Sequence, residues 1–250
     1  MQTKTQQLTE LLRHSKNTVF FGGAGVSTES NIPDFRSESG LYATQQTYGH
    51  PPEELLSYPL FIQKPALFFR YYKENLIARN AQPNAAHLAL AKLETQGPLQ
   101  AVITQNIDGL HQKAGSRNVL ELHGSNWRQY CMNCNETYSL DYILDPTHCQ
   151  EDHIPICNKC GGIIRPDVVL YEERLNPQIF TAAMEAIETA DLLIVGGTSL
   201  AVYPAAGLLR HFHGKALVLI NKSETPYDRQ AKLVIYESIG KVLNDAVAAI

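Results

Sequence analysis

The chain has 250 residues, 44% of them hydrophobic and 18% charged, with a formal net charge of −4. That length buries a substantial core, as one large domain or one with a smaller companion. An acidic balance without a dense Lys/Arg run gives no general attraction to nucleic acid, and no apolar run approaches the roughly 20 residues that span a bilayer.

Residues 1–16 are polar and then amphipathic, with no apolar stretch ahead of a small-residue cleavage site, so a secretory signal is not expected. Thr18-Val19-Phe20-Phe21 is an apolar run that ends in Gly22-Gly23-Ala24-Gly25. Further runs lie at 101–104, 119–122, 192–195 (ending in Gly196-Gly197), 216–220 (ending at Asn221) and 233–236. Several are almost wholly apolar, as strands covered on both faces are. Helical patterns fall between them, at 67–78, 85–95, 179–189 and 239–249. Strand, glycine turn and helix in alternation predict an α/β fold with a doubly wound, Rossmann-like parallel sheet.

Two stretches interrupt that alternation. Residues 41–79 read as helices and loops and carry Pro51, Pro52, Pro59 and Pro65; residues 129–164 hold the cysteines and little periodic structure. The expected division is a nucleotide-binding domain of 1–40, 80–128 and 165–250, and a smaller inserted lobe of 41–79 and 129–164. The cleft between them is the expected ligand site.

Cys131 and Cys134, then Cys157 and Cys160, form two C-x-x-C pairs separated by 22 residues. Two such turns present four thiolates to one tetrahedral zinc ion, and a closed four-sulfur shell leaves no place for water or substrate, so the metal is structural. The spacing exceeds that of the usual ribbon, so the intervening loop is expected to protrude. Cys149 beside His148 reads as a bystander. Five cysteines without a signal segment fit a reducing cytoplasm better than a secreted disulfide framework.

The segment Gly23-Ala24-Gly25-Val26-Ser27-Thr28 has the first two glycines of a dinucleotide loop but Thr28 at the third. No strand ending in an acid follows about 20 residues later, as ribose recognition by a dehydrogenase requires. Backbone N–H groups there still suit a pyrophosphate, whereas hydride transfer is disfavoured.

The remaining motifs are Ile32-Pro33-Asp34-Phe35-Arg36, Thr104-Gln105-Asn106-Ile107-Asp108, Leu122-His123-Gly124, Gly197-Thr198-Ser199-Leu200 and Leu219-Ile220-Asn221-Lys222. In this order, with the zinc pairs between His123 and Gly197, the whole chain resembles the sirtuins, the NAD-dependent protein-lysine deacylases, and most of all their bacterial deacetylase type. The resemblance implies NAD as co-substrate and acetyl-lysine proteins or peptides as partners, with no nucleic-acid or membrane partner. It implies that the ribose–nicotinamide bond breaks, that the acetyl oxygen attacks the sugar, and that free lysine, nicotinamide and O-acetyl-ADP-ribose leave. His123 and Asn106 are the implied catalytic residues, with His123 as general base on a ribose hydroxyl. Its ordinary pKa suits that transfer near neutrality, and it stands directly after a strand, where sites in open α/β sheets lie.

By the same resemblance, Gly23, Ala24 and Thr28 line the pyrophosphate loop, and Phe35 and Arg36 close over the nicotinamide end. Gln105 and Asn106 hold the ribose, Ile107 and Asp108 grip the nicotinamide amide, and Thr198, Ser199, Asn221 and Ile239 take the adenosine half. Val169 and Tyr171 border the acyl-lysine channel, with the peptide added as an extra strand. Asn31 and Glu172 depart from glycines customary in the family; asparagine tolerates a left-handed backbone, and Glu172 bears on peptide preference. Residues 42–59 contain no arginine to pair an acidic acyl chain, so acetyl and other neutral acyl groups are expected. Two other readings are a mono-ADP-ribosyltransferase on the same scaffold and a non-enzymatic zinc-ribbon module.

Overall fold

The computed structural model describes residues 2–34, 40–150 and 153–250. In chain order the elements are α1 (Lys4–His14), β1 (Thr18–Gly22), α2 (Pro65–Asn75), α3 (Ala85–Gln96), β2 (Leu99–Thr104), α4 (Leu110–Lys113), β3 (Val119–Glu121) and β4 (Gly124–Cys131). Then follow β5 (Thr137–Ser139), β6 (Ile164–Val168), α5 (Pro177–Thr189), β7 (Leu192–Gly196), β8 (Ala216–Ile220), β9 (Leu233–Ile235) and α6 (Ile239–Ala248). Short helical turns at Pro52–Leu55 and Tyr58–Gln63 precede α2. Among the described residues, no helix is long and apolar enough to cross a membrane.

All six apolar runs of the sequence become strands of one parallel sheet, ordered β3-β2-β1-β7-β8-β9. Their side chains alternate between faces, as a period of two requires. Phe20 packs with Val102, Ile194 and Val218 against Leu8 and Leu12 of α1, Leu90 of α3 and Leu243 of α6. Val19 and Phe21 pack with Ile103, Leu193 and Leu219 against Ile187 of α5 and Leu208. Each of these large side chains contributes about 1.5–3 kcal/mol on burial, so helices on both faces are what make the strands wholly apolar. Strand order reverses between β1 and β7, which opens a crevice beyond their carboxyl ends.

The stretch 129–164 is more regular than its sequence suggests. β5, β4 and β6 form a three-stranded antiparallel sheet, with a register shift in the β4–β6 pair between Ser125 and Gln129. β4 itself runs through the expected 128/129 boundary. Phe61, Phe68, Phe69 and Tyr72 of the helical insertion share a core with Cys131, Ile143, Cys157 and Ile164. The loop expected to protrude between the cysteine pairs instead folds back. Leu140 and Ile143 lie buried in that core at 2% and 0% exposure, because the helical turn Leu140–Leu144 has an apolar face to cover.

Candidate active site at the sheet switch point

The crevice is shaped by two loops that interlock. After β1 the chain turns through short helical turns at Ala24–Val26 and Thr28–Ser30. Gly25 N–H donates to the Gly197 carbonyl at 2.8 Å. Gly197 has φ +59°, and a Cβ there would lie 2.4 Å from the Val26 nitrogen; one on Gly25 would lie 2.8 Å from the Gly197 Cα. Only glycine at both positions lets the loops after β1 and β7 touch. Asn31 ends the second turn at φ +60°, ψ +28°, the left-handed conformation that asparagine tolerates.

Beside this contact opens a cavity of about 570 Å³. Thr28, Asn221 and Ile239, three of the residues expected at the nucleotide, line it together with Gly25, Gly197 and Ile220. Its size is that of a small-molecule pocket, and backbone, amide and apolar surfaces meet in it as a dinucleotide needs. Ala24 is half-buried in the same loop, while Gly23 packs against Thr198, where a Cβ would come within 2.9 Å. Ser199 is half-buried on the loop after β7. Phe35 and Arg36 lie outside the described residues.

A second group gathers on the loops after β2 and β3. The Gln105 side chain donates to the Thr198 hydroxyl at 3.2 Å and joins the loops after β2 and β7. Asn106 donates to the Ser27 hydroxyl at 3.0 Å, and Ser27 donates to the Asp108 carboxylate at 2.6 Å. The other Asp108 oxygen caps α4 through the Leu110 N–H, so the cap and the site share one side chain. Ile107 accepts from the Asn126 N–H through its carbonyl. His123 Nδ1 lies 2.9 Å from the Gln105 carbonyl. A carbonyl only accepts, so Nδ1 carries the proton and Nε2 keeps its lone pair. Burial lowers the His123 pKa below 6.5, partly opposed by that hydrogen bond, and the ring stays neutral at physiological pH.

Ser27, which bridges Asn106 to Asp108, was not singled out in the sequence. Its buried hydroxyl, 1% exposed, is recognisable only once residues 27, 106 and 108 are brought together. Val169 lies next to His123, its N–H donating to the His123 carbonyl at 3.0 Å. Tyr171 instead meets the helical insertion, through its N–H to Leu56 and its carbonyl to Tyr58 N–H. Beneath this segment Arg165, 5% exposed, pairs both terminal nitrogens with Glu173 at 2.7 and 2.8 Å and also donates to the Val168 carbonyl. Tyr58, Phe61 and Tyr130 surround the guanidinium, which makes this a desolvated, bidentate clamp.

The four zinc-pair cysteines converge, with sulfurs all within 4.8 Å of one another. The Cys131 and Cys160 sulfurs lie 3.4 Å apart and those of Cys134 and Cys157 3.6 Å. Tetrahedral zinc with bonds of about 2.3 Å sets sulfurs about 3.8 Å apart, so the donor set fits. Burial pushes the Cys157 thiol up, but the Tyr138 hydroxyl, the Lys159 and Cys160 N–H groups and Cys134 outweigh it and bring it to about 6. Cys134 and Cys160 move the other way: the Glu136 and Gly162 N–H groups lower them, but hydrogen bonding to the neighbouring cysteine sulfurs, together with burial, raises them on balance, so a metal would bind by displacing their protons. Cys131 ends the eight-residue strand that His123 precedes, so roughly 26 Å of chain separates the cysteine from the imidazole.

Behind the site lie His87 and His111, 0% and 1% exposed, with ring centroids 4.7 Å apart. Burial lowers their pKa values to about 4 and about 3. Both rings are therefore neutral in the fold, whereas the unfolded chain protonates them below about 6.5. Above that pH their contribution to stability is complete; as pH falls toward 4 the unfolded state gains protons and stability drops, by about 1.4 kcal/mol per unit per ring. Thermal midpoints are expected to hold above pH 6.5 and to fall between 6.5 and 4. A flat profile there would show these imidazoles charged in the fold.

Residues 23–204 match the model of the Sir2 family. The chain belongs to the Sir2 family. An NAD-dependent protein deacetylase from Clostridium acetobutylicum is 57% identical over 98% of this chain and 98% of its own. A solved Sir2 complex with a deacetylated p53 peptide and 3′-O-acetyl-ADP-ribose is 36% identical, with a TM-score of 0.90 over 99% of this chain and 98% of that one. A Sir2 complex with a p53 peptide and NAD+ is 37% identical, with a TM-score of 0.86 over the same shares. The doubly wound sheet with its small antiparallel sheet is therefore a bacterial-type sirtuin fold.

Proposed function

We propose that this sirtuin is an NAD-dependent protein-lysine deacetylase that moves the acetyl group from lysine to ADP-ribose with release of nicotinamide. The observation that carries the reading is the neutral His123, its Nδ1 held by the Gln105 carbonyl beside the crevice and its Nε2 without a partner among the described residues. NAD, when bound, supplies the ADP-ribose that accepts the acetyl group. With Gly23 donating its N–H to the Gly196 carbonyl, Ala24 and Thr28 of the same loop offer N–H groups to the pyrophosphate, and Asn221, Ile239, Thr198 and Ser199 hold the adenosine half. Gln105 and Asn106 orient the ribose; Ile107 and Asp108 take the nicotinamide amide, with Ser27 and Asn106 holding the carboxylate in place. Phe35 and Arg36 close the nicotinamide end and exclude water. His123 Nε2 receives the proton of a ribose hydroxyl. Val169 and Tyr171 form the wall for the acyl-lysine. The zinc, held by Cys131, Cys134, Cys157 and Cys160, supplies a fixed cross-link for the smaller lobe of 41–79 and 129–164. The rest, 1–40, 80–128 and 165–250, forms the nucleotide-binding domain.

The partners are acetyl-lysine proteins or peptides in the cytoplasm. The net charge of −4 supports leaving nucleic acid and membrane outside that set. Acetyl-, butyryl- and succinyl-lysine peptides, with and without NAD, test the reading when nicotinamide and free lysine are followed by mass spectrometry. Turnover is expected only with NAD and is expected to be faster for acetyl than for succinyl, since residues 42–59 supply no arginine for a carboxylate. Faster succinyl turnover would sink the acyl preference. Nicotinamide release independent of any acyl-lysine would favour mono-ADP-ribosyl transfer instead.

A further inference from the structure

Glu173 N–H donates to the Leu170 carbonyl at 3.0 Å and closes a four-residue turn with Glu172 in its third position at φ +72°. That position favours glycine or asparagine, whose side chains do not crowd a left-handed backbone. The chain nevertheless places a glutamate there. Its side chain is exposed and, among the described residues, has no ion pair or hydrogen bond. The turn is clamped on three sides: Val169 N–H to the His123 carbonyl, Tyr171 to Leu56 and Tyr58, and Glu173 to the buried Arg165. Three residues past Val169, Glu172 lies within roughly 10 Å of it along the chain, and so near the imidazole-bearing edge of the cleft.

Neighbouring carboxylates are already engaged. Asp167 is paired with Arg128, Glu54 with His50, and Glu53 with the Tyr42 hydroxyl. Arg174, exposed two residues further along the same segment, is a cation whose charge opposes that of Glu172. Strained backbone kept beside a reaction centre points to a role, and a clamped, unpaired carboxylate on a peptide-facing wall has an evident one.

We infer that Glu172 is a specificity-determining residue that selects acyl-lysine substrates with Lys or Arg close to the modified lysine and disfavours those with Asp or Glu. This inference rests on the deacetylase reading and its placement of the substrate along Val169–Tyr171. The attraction is made equally in ground and transition states, away from the reacting atoms, so it acts on KM.

Three acetyl-lysine peptides that differ only in having Lys, Gln or Glu at the flanking positions are compared at low salt with NAD. An exposed pair plus the matching repulsion gives about a fivefold preference in kcat/KM for the Lys-flanked over the Glu-flanked peptide. The ratio is expected to fall toward one in Glu172→Gln and in about 0.5 M NaCl. It is expected to invert in Glu172→Lys and to widen in Arg174→Gln. Equal turnover of the three peptides by the unaltered protein, or a ratio unchanged in Glu172→Gln, would overturn the inference and leave the deacetylase reading standing. No NAD-dependent turnover of any peptide would overturn both.

Discussion

Replacing His123 by alanine is expected to reduce NAD-dependent deacetylation by about a thousandfold, within the range general-base catalysis contributes. Because Nδ1 is committed to the Gln105 carbonyl, Nε2 is the nitrogen with a lone pair to accept a proton. Gln105 is itself tied to Thr198, so the ring is aimed by both halves of the sheet. The loss should fall on kcat, with the far-ultraviolet circular dichroism and thermal midpoint close to those of the unaltered protein, because His123 lies outside the three apolar cores and its ring's hydrogen bond is to a single loop carbonyl. The pH profile gives a second readout. Burial holds the His123 pKa below 6.5, so kcat/KM should stay level through neutrality and decline only below that value, as the base is protonated. In His123→Ala that acid limb should vanish from the residual rate. Undiminished turnover in the variant would remove the general base from the mechanism.

Loss of the metal should have an effect at least as large, by a different route. The four sulfurs lie within 4.8 Å of one another and form no disulfide, so beyond the β4–β6 ladder the metal is the link that holds both C-x-x-C turns together. Structural zinc contributes about 10–16 kcal/mol to folding in small modules, comparable with the whole stability of a domain. Cys131→Ser or exhaustive chelation is therefore expected to unfold the antiparallel sheet and abolish activity. The single tryptophan makes this visible without an assay of turnover. Trp127 lies on β4 between His123 and Cys131, its indole N–H 2.8 Å from the Asp108 carbonyl. Its emission should shift to the red as zinc leaves, in step with metal release measured by a colorimetric chelator. A zinc-free protein with native tryptophan emission and full turnover would show that the cysteines do not support the cleft.

Much of this is legible in the sequence. The central strands of the parallel sheet announce themselves because helices cover both faces, which leaves them almost wholly apolar, while the edge strand β3 keeps Glu121 and is only half-buried. The zinc pairs are legible because metal geometry imposes a local spacing. β4 is not, since Gly124-Ser125-Asn126-Trp127-Arg128-Gln129-Tyr130-Cys131 lacks a clean apolar face and its pairing with β6 is irregular. α1 was read only as amphipathic, although Leu8 and Leu12 face the sheet. The hydrogen-bond chain through Ser27 unites residues 81 positions apart in sequence, and no local pattern encodes that. The Arg165–Glu173 clamp is illegible for the converse reason: a strand arginine and a carboxylate eight residues on look solvated until the rings of Tyr58, Phe61 and Tyr130 are seen to enclose the guanidinium.

The reversal of strand order has a consequence for how the protein is made. Thr18 of β1 pairs with Leu99 on one side and Leu192 on the other, partners 81 and 174 residues further along the chain. At translation rates of about 5–20 residues per second, β1 waits roughly 10 to 35 s for the second neighbour. Until then one edge of a wholly apolar strand is unpaired, and the crevice that would take a nucleotide has only one wall. The cysteine lobe, whose last strand β6 ends at Val168, has all its cysteines and strands well before β7 is made. A growing chain thus acquires its metal-bound lobe first and its nucleotide crevice last, so a ribosome-bound fragment ending before β7 has no complete site with which to consume a dinucleotide.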